Sequence, residues 1–190
     1  RAENMSNNNE EKYNRKKTND EKLKKFDEFI LQHAKYMTDE EYNHSTKPEI
    51  VDIEQKLEPL NKDNDKISVL IDKYNDFDRP PLLFKNNNYI YKGMWNINAK
   101  KEGFGILIDK DGNKYVGGWK EDKISGYGRL ISKEGDYYEG EWKNGIIEGN
   151  GKYTYEDGTI FNGNFINGEK NGEGYIEFPN GKKYFGNWLN

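Results

Sequence analysis

The stretch from Tyr137 to Gly158 reads YYEGEWKNGIIEGNGKYTYEDG, and its pattern recurs through the second half of the chain. Aromatic residues open each unit at Tyr91, Tyr115, Tyr138, Phe161 and Tyr184. Glycine follows two residues later at Gly93, Gly117, Gly140, Gly163 and Gly186. A second large ring follows two after that, at Trp95, Trp119, Trp142, Phe165 and Trp188. Next comes a Gly-x-Gly pair, at 103/105, 126/128, 149/151 and 172/174, then a hydrophobe at Leu107, Leu130, Tyr153 or Ile176. A period of about 23 residues is the mark of a repeat array in which neighbouring units supply each other's core.

The period suits one hairpin per unit, with turns at Gly112, Gly135, Gly158 and Gly181. Residues i, i+2 and i+4 of a strand share a face. Tyr138, Gly140 and Trp142 therefore point the same way, and so do Gly149, Gly151 and Tyr153. Glycine weakens a strand unless a neighbouring ring covers it, and aromatic cover is an established compensation. Gly93, Gly117, Gly140 and Gly163 are accordingly expected as structural glycines beneath rings. The opposite face, with Glu139, Glu141, Asn150 and Lys152, is expected to be solvated.

The first half follows a different grammar. All 20 glycines and all four tryptophans lie at or after Gly93. From Asp20 to Met37, Leu23, Phe26, Ile30, Ala34 and Met37 recur at helical spacing. Thr46-x-x-Glu49 reads as a capping box ahead of Ile50, Ile53 and Leu57. Ile67, Leu70, Ile71 and Tyr74 form a third stripe. Residues 1–17 are polar and read as a disordered tail. Residues 18–78 read as a helical region, 79–88 as a linker stiffened by Pro80 and Pro81, and 89–190 as a sheet of four full units and a partial fifth. One N-terminal stripe is expected to pack on the sheet near Tyr91 and Trp95.

Residues such as YVGGWKEDKISGYGRL, YEGEWKNGIIEGNGKY and FNGNFINGEKNGEGYI resemble MORN repeats (membrane occupation and recognition nexus). The departures are one inserted residue between Trp95 and Gly103, and phenylalanines at 161 and 165. The resemblance implies a mainly β repeat array, an elongated antiparallel sheet of stacked hairpins, preceded here by the short α-helical region.

Chemistry is hard to find. There is no cysteine and there are only two histidines, His33 and His44, with no nucleophile motif beside them. The stretch Asn61–Asp72 has calcium-loop spacing, but Lys66 replaces the required glycine. The Gly-x-Gly pairs lack the further glycine or Lys-Ser/Thr of a phosphate loop. No catalytic, metal or cofactor site is expected, and the chain reads as a non-enzyme. Net charge is −4 and neither half is basic, which argues against nucleic acid.

The expected function is a non-catalytic scaffold or adaptor. Tyr115, Trp119, Tyr138, Trp142, Phe161 and Phe165 are the candidate partner-binding residues, read as an uncovered aromatic groove for an amphipathic partner helix or a second copy of the chain. The resemblance implies a cytoplasmic setting, in cytoskeletal, ciliary or membrane-associated assemblies. One alternative is a phosphoinositide or membrane-surface module, with weak anionic-lipid contact through scattered lysines. Another is the regulatory or targeting segment of a larger enzyme resembling lipid kinases or SET methyltransferases.

Overall fold

The computed structural model describes residues 82–85 and 89–189. The expected tail, the three helical stripes, both histidines and the calcium-like stretch lie outside the described residues. Ten strands run in chain order across one antiparallel sheet. They are β1 (Leu82–Lys85), β2 (Tyr89–Trp95), β3 (Lys101–Asp109), β4 (Lys114–Lys120), β5 (Lys123–Ile131), β6 (Tyr137–Lys143), β7 (Ile146–Thr154), β8 (Ile160–Ile166), β9 (Glu169–Glu177) and β10 (Lys183–Trp188). Each strand pairs only with its sequence neighbours, so the contacts are local. Residues 82–85, read from sequence as linker, instead form β1. That strand pairs with β2 at the edge of the sheet, Leu82 opposite Gly93 and Lys85 opposite Ile90.

Two kinds of turn alternate. At one end of the sheet the connections β3–β4, β5–β6, β7–β8 and β9–β10 are tight turns, each closed by a glycine at positive φ. Gly112 (φ 93°) donates its N–H to the Asp109 carbonyl, and Gly135, Gly158 and Gly181 repeat this with Ser132, Tyr155 and Phe178. At the other end the loops have two residues, both at positive φ: Glu121–Asp122, Asn144–Gly145 and Asn167–Gly168. Two such residues define the hairpin turn whose twist matches the strands, which is why Asn-Gly serves in two of the three. The inserted residue of unit one lengthens its loop. There Asn96 Oδ1 accepts the N–H groups of Asn98 (3.0 Å) and Lys100 (3.1 Å).

The register explains the glycines. Gly93, Gly105, Gly117, Gly128, Gly140, Gly151, Gly163, Gly174 and Gly186 pair in succession and make one row across the sheet from β2 to β10. On one side of that row runs Tyr91–Leu107–Tyr115–Leu130–Tyr138–Tyr153–Phe161–Ile176. On the other side stand the tryptophans and Phe165. In the four full units the opening ring, Tyr91, Tyr115, Tyr138 or Phe161, lies down over two glycines, its own and the one across the ladder. A Cβ on Gly151 would overlap the Tyr138 ring, and one on Gly163 would sit 2.7 Å from Phe161 Cζ. The first glycine of each Gly-x-Gly pair has another task. Gly103, Gly126, Gly149 and Gly172 adopt positive φ (73°, 84°, 94° and 69°) beside the register shifts that follow the two-residue turns and the longer loop of unit one.

The second face differs from the expectation of a plain solvated surface. In the first units it is apolar and buried: Ile90, Ile108, Val116 and Ile131 are at most 9% exposed. Glu139 is not simply in water either. Its carboxylate accepts from Arg129 Nη2 (2.6 Å), Arg129 Nε (2.9 Å) and the Tyr127 hydroxyl (2.7 Å). Farther along, Glu141, Asn150 and Lys152 of this face are exposed.

Candidate functional site: the ring ladder

Rings folding onto the glycine row from both sides meet edge to face. Trp95, Tyr91, Trp119, Tyr115, Trp142, Tyr138, Phe165, Phe161 and Trp188 form one continuous zigzag, with centroids 4.9–5.6 Å apart and planes 76–89° apart. This is the preferred geometry of aromatic quadrupoles, each pair contributing about 0.5–1.5 kcal/mol beyond burial. Tyr91, Tyr115, Tyr138 and Phe161 each touch their own unit's second ring and that of the next unit. The ladder therefore couples the units.

The polar ends of the rings are used within the backbone. The hydroxyls of Tyr91, Tyr115 and Tyr138 donate to the carbonyls of Met94 (2.9 Å), Gly118 (3.0 Å) and Glu141 (3.1 Å). Trp119 and Trp142 Nε1 donate to the carbonyls of Gly105 (3.3 Å) and Gly128 (3.2 Å). Burial pushes the three tyrosine hydroxyls well above their ordinary range, because the phenolate has no water to solvate it. They remain neutral donors at ordinary pH. Unit four, with Phe161 and Phe165, keeps the ring packing without the donors.

The six candidate partner-binding residues are thus brought together, but not as an open strip. Tyr115, Trp119, Tyr138, Trp142, Phe161 and Phe165 are 0–7% exposed. The expectation of an uncovered aromatic groove is corrected on this point. The glycine row gives the rings room to lie flat, and each ring then shields the next. What stays partly exposed against them is aliphatic: Leu107, Leu130 and Ile176 beside the opening rings, and Ile124 and Ile147 opposite Trp119 and Trp142. Sequence reading placed three of these in the repeat and missed Ile124 and Ile147. Their signal is the position two before each Gly-x-Gly pair, held by Lys101, Ile124, Ile147 and Lys170.

Lysine takes that position in the first and last of the four full units. Lys101 is buried, with Nζ 4.5 Å from the Tyr89 ring centroid and 5.5–5.7 Å from those of Tyr91, Trp119 and Trp95. Lys170 Nζ lies 4.9 Å from Phe161 and 5.1 Å from Tyr155. Cations over ring faces are attracted by the quadrupole. Beside Lys170 an open hollow of about 670 Å³ is lined by Tyr153, Tyr155, Phe165 and Trp188.

Among the described residues, no three or more His, Cys, Asp or Glu side chains cluster as metal ligands do. No described helix is long and apolar enough to cross a membrane. The tyrosine shifts are all upward and those of Asp157 and Lys183 follow from local hydrogen bonds, so none sets a group near neutrality for acid–base work.

Comparison with curated proteins finds no match. The family model for the MORN repeat matches four times in succession, at residues 91–114, 115–137, 138–160 and 161–183. Its boundaries fall where each opening aromatic of the ladder begins a new hairpin. Residues 91–183 of this chain are therefore four consecutive MORN repeats.

Proposed function

We propose that the array is a non-catalytic scaffold whose ringed face holds an amphipathic partner helix. The observation that carries this reading is the set of aliphatic side chains flanking the ring ladder, Leu107, Leu130 and Ile176 beside the opening rings and Ile124 and Ile147 beside the tryptophans. These side chains are partly exposed and pack against the buried rings. A helix docks by laying an apolar stripe into such a surface. The buried rings hold the floor in place, and the aliphatic side chains on either side of them make the contact. Anchors near the centre of an apolar patch dominate affinity, while rim charges tune it.

The full chain is used as bait for an amphipathic helical peptide library, and selected peptides are measured against wild type, Leu130→Glu, Ile147→Glu and Lys143→Glu at low and high salt. Leu130→Glu and Ile147→Glu are preferred to Trp142→Ala, because Trp142 belongs to the core. Loss of binding with either aliphatic variant, at both salt concentrations, is the expected result. Self-association lost with the same variants assigns the face to a second copy. Binding to anionic liposomes that is abolished by salt and by Lys143→Glu, with Ile147→Glu harmless, overturns the scaffold in favour of a membrane-surface module.

A further inference from the structure

The second face of the sheet changes character along its length. Two of its cross-strand rows begin Ile90–Ile108–Lys114–Ile131 and Lys92–Ile106–Val116–Arg129, with Phe104 beside them. The second row continues Glu139–Lys152–Asn162. The first row runs on through Tyr137, Thr154 and Ile160, but the buried aliphatic side chains of this face are concentrated in β2–β5. Among them Ile108 and Ile131 are 3% and 0% exposed. Side chains on one face of a single sheet layer stay wet unless something lies across them.

We infer that this patch is the docking surface for the chain's own segment Ile67–Tyr74, laid across β2–β5 on the face away from the ring ladder. The placement follows from where the chain enters the sheet. β1 lies beside β2, with Leu82 opposite Gly93, so the preceding residues arrive at the edge of the patch, at its Phe104 end. Seven residues separate Tyr74 from Leu82. Fully extended, they span about 25 Å. The four strand steps from β1 to β5 cover about 19 Å. The stripe Ile67, Leu70, Ile71 and Tyr74 therefore reaches the whole patch, and its tether keeps the effective concentration high.

Covering the second face from within leaves the aliphatic side chains of the ringed face to a partner.

The chain has no cysteine, so introduced pairs report cleanly. In the full chain, Leu70→Cys combined with Val116→Cys is treated with a short bismaleimide, and Leu70→Cys with Phe185→Cys serves as control. A cross-link at monomer mass for the first pair and none for the second is expected. In a separate measurement Val116→Cys alone is labelled by maleimide with and without Ile71→Asp. Loss of the cover raises the labelling rate by about tenfold. Fast labelling of Val116→Cys that ignores Ile71→Asp, with no cross-link to Leu70→Cys, overturns the assignment. A cross-link found only at dimer mass also overturns it and gives the patch to a second copy.

Discussion

Gly151→Ala isolates the reason for the glycine row. Gly151 does not have positive φ, so alanine meets no backbone strain there. The whole cost falls on the ring. The new Cβ would overlap the Tyr138 hydroxyl and Cε2 and lie 2.5 Å from its Cζ. The flanking backbone is fixed in two ladders, opposite Gly140 and Gly163, so Tyr138 has to lift. Lifting it breaks the hydroxyl bond to Glu141 O, worth about 0.5–1.5 kcal/mol. It also disturbs two edge contacts, at 5.2 Å to both Trp142 and Phe165, each worth about 0.5–1.5 kcal/mol. A loss of about 2–4 kcal/mol follows, in line with or slightly above ordinary overpacking. Urea denaturation of the full chain, followed by tryptophan fluorescence, gives the stability difference. The decisive comparison is a double-mutant cycle with Tyr138→Leu, whose shorter side chain does not reach over the glycine. The cost of Gly151→Ala should fall below about 1 kcal/mol in that background. An equal cost in both backgrounds would refute the ring-over-glycine account.

Three further outcomes are expected. Phe161→Tyr gives unit four the hydroxyl that the other units aim at the carbonyl three residues on, and should stabilise by about 0.5–1 kcal/mol in the same urea assay. Glu139→Val removes the acceptor of Arg129 and Tyr127 and should cost about 1.5–3 kcal/mol, whereas Lys152→Val, on the exposed part of the same row, should change the midpoint little. Burial and then the Asp136 carboxylate push the Tyr153 hydroxyl from 10.0 up to about 12. Its folded pKa exceeds its unfolded one, so its stabilisation is full below pH 10 and is lost as pH rises towards 12. Thermal melts across that range, with tyrosinate absorbance read in parallel, should show stability falling as phenolate appears, and Tyr153→Phe should soften the fall.

The sequence by itself determined the period, the hairpin units and the face on which the rings lie. Those follow from alternation in a strand and from where glycine and the aromatics stand relative to each other. It also determined that Gly93, Gly117, Gly140 and Gly163 lie under rings, since a side chain there has nowhere to go. Three things were decided only by the tertiary structure. Gly126 and Gly128 look alike in sequence, yet Gly126 sits at positive φ by a register shift while Gly128 makes room for Tyr115. The distinction arises from pairing with two different neighbours. The rings Tyr115 to Phe165 read as an open groove, because a one-dimensional pattern says which face a ring takes but not that the next unit's ring will cover it. The edge contact of Tyr138 with Phe165 spans 27 residues of chain and exists only once units stack. Finally, Glu139 looks like any charge on a wet face until the register sets it opposite Arg129, on a face whose first strands are apolar. Cross-strand neighbours are fixed by the two-residue turns and register shifts, and a shift of one position would exchange the faces of the sheet.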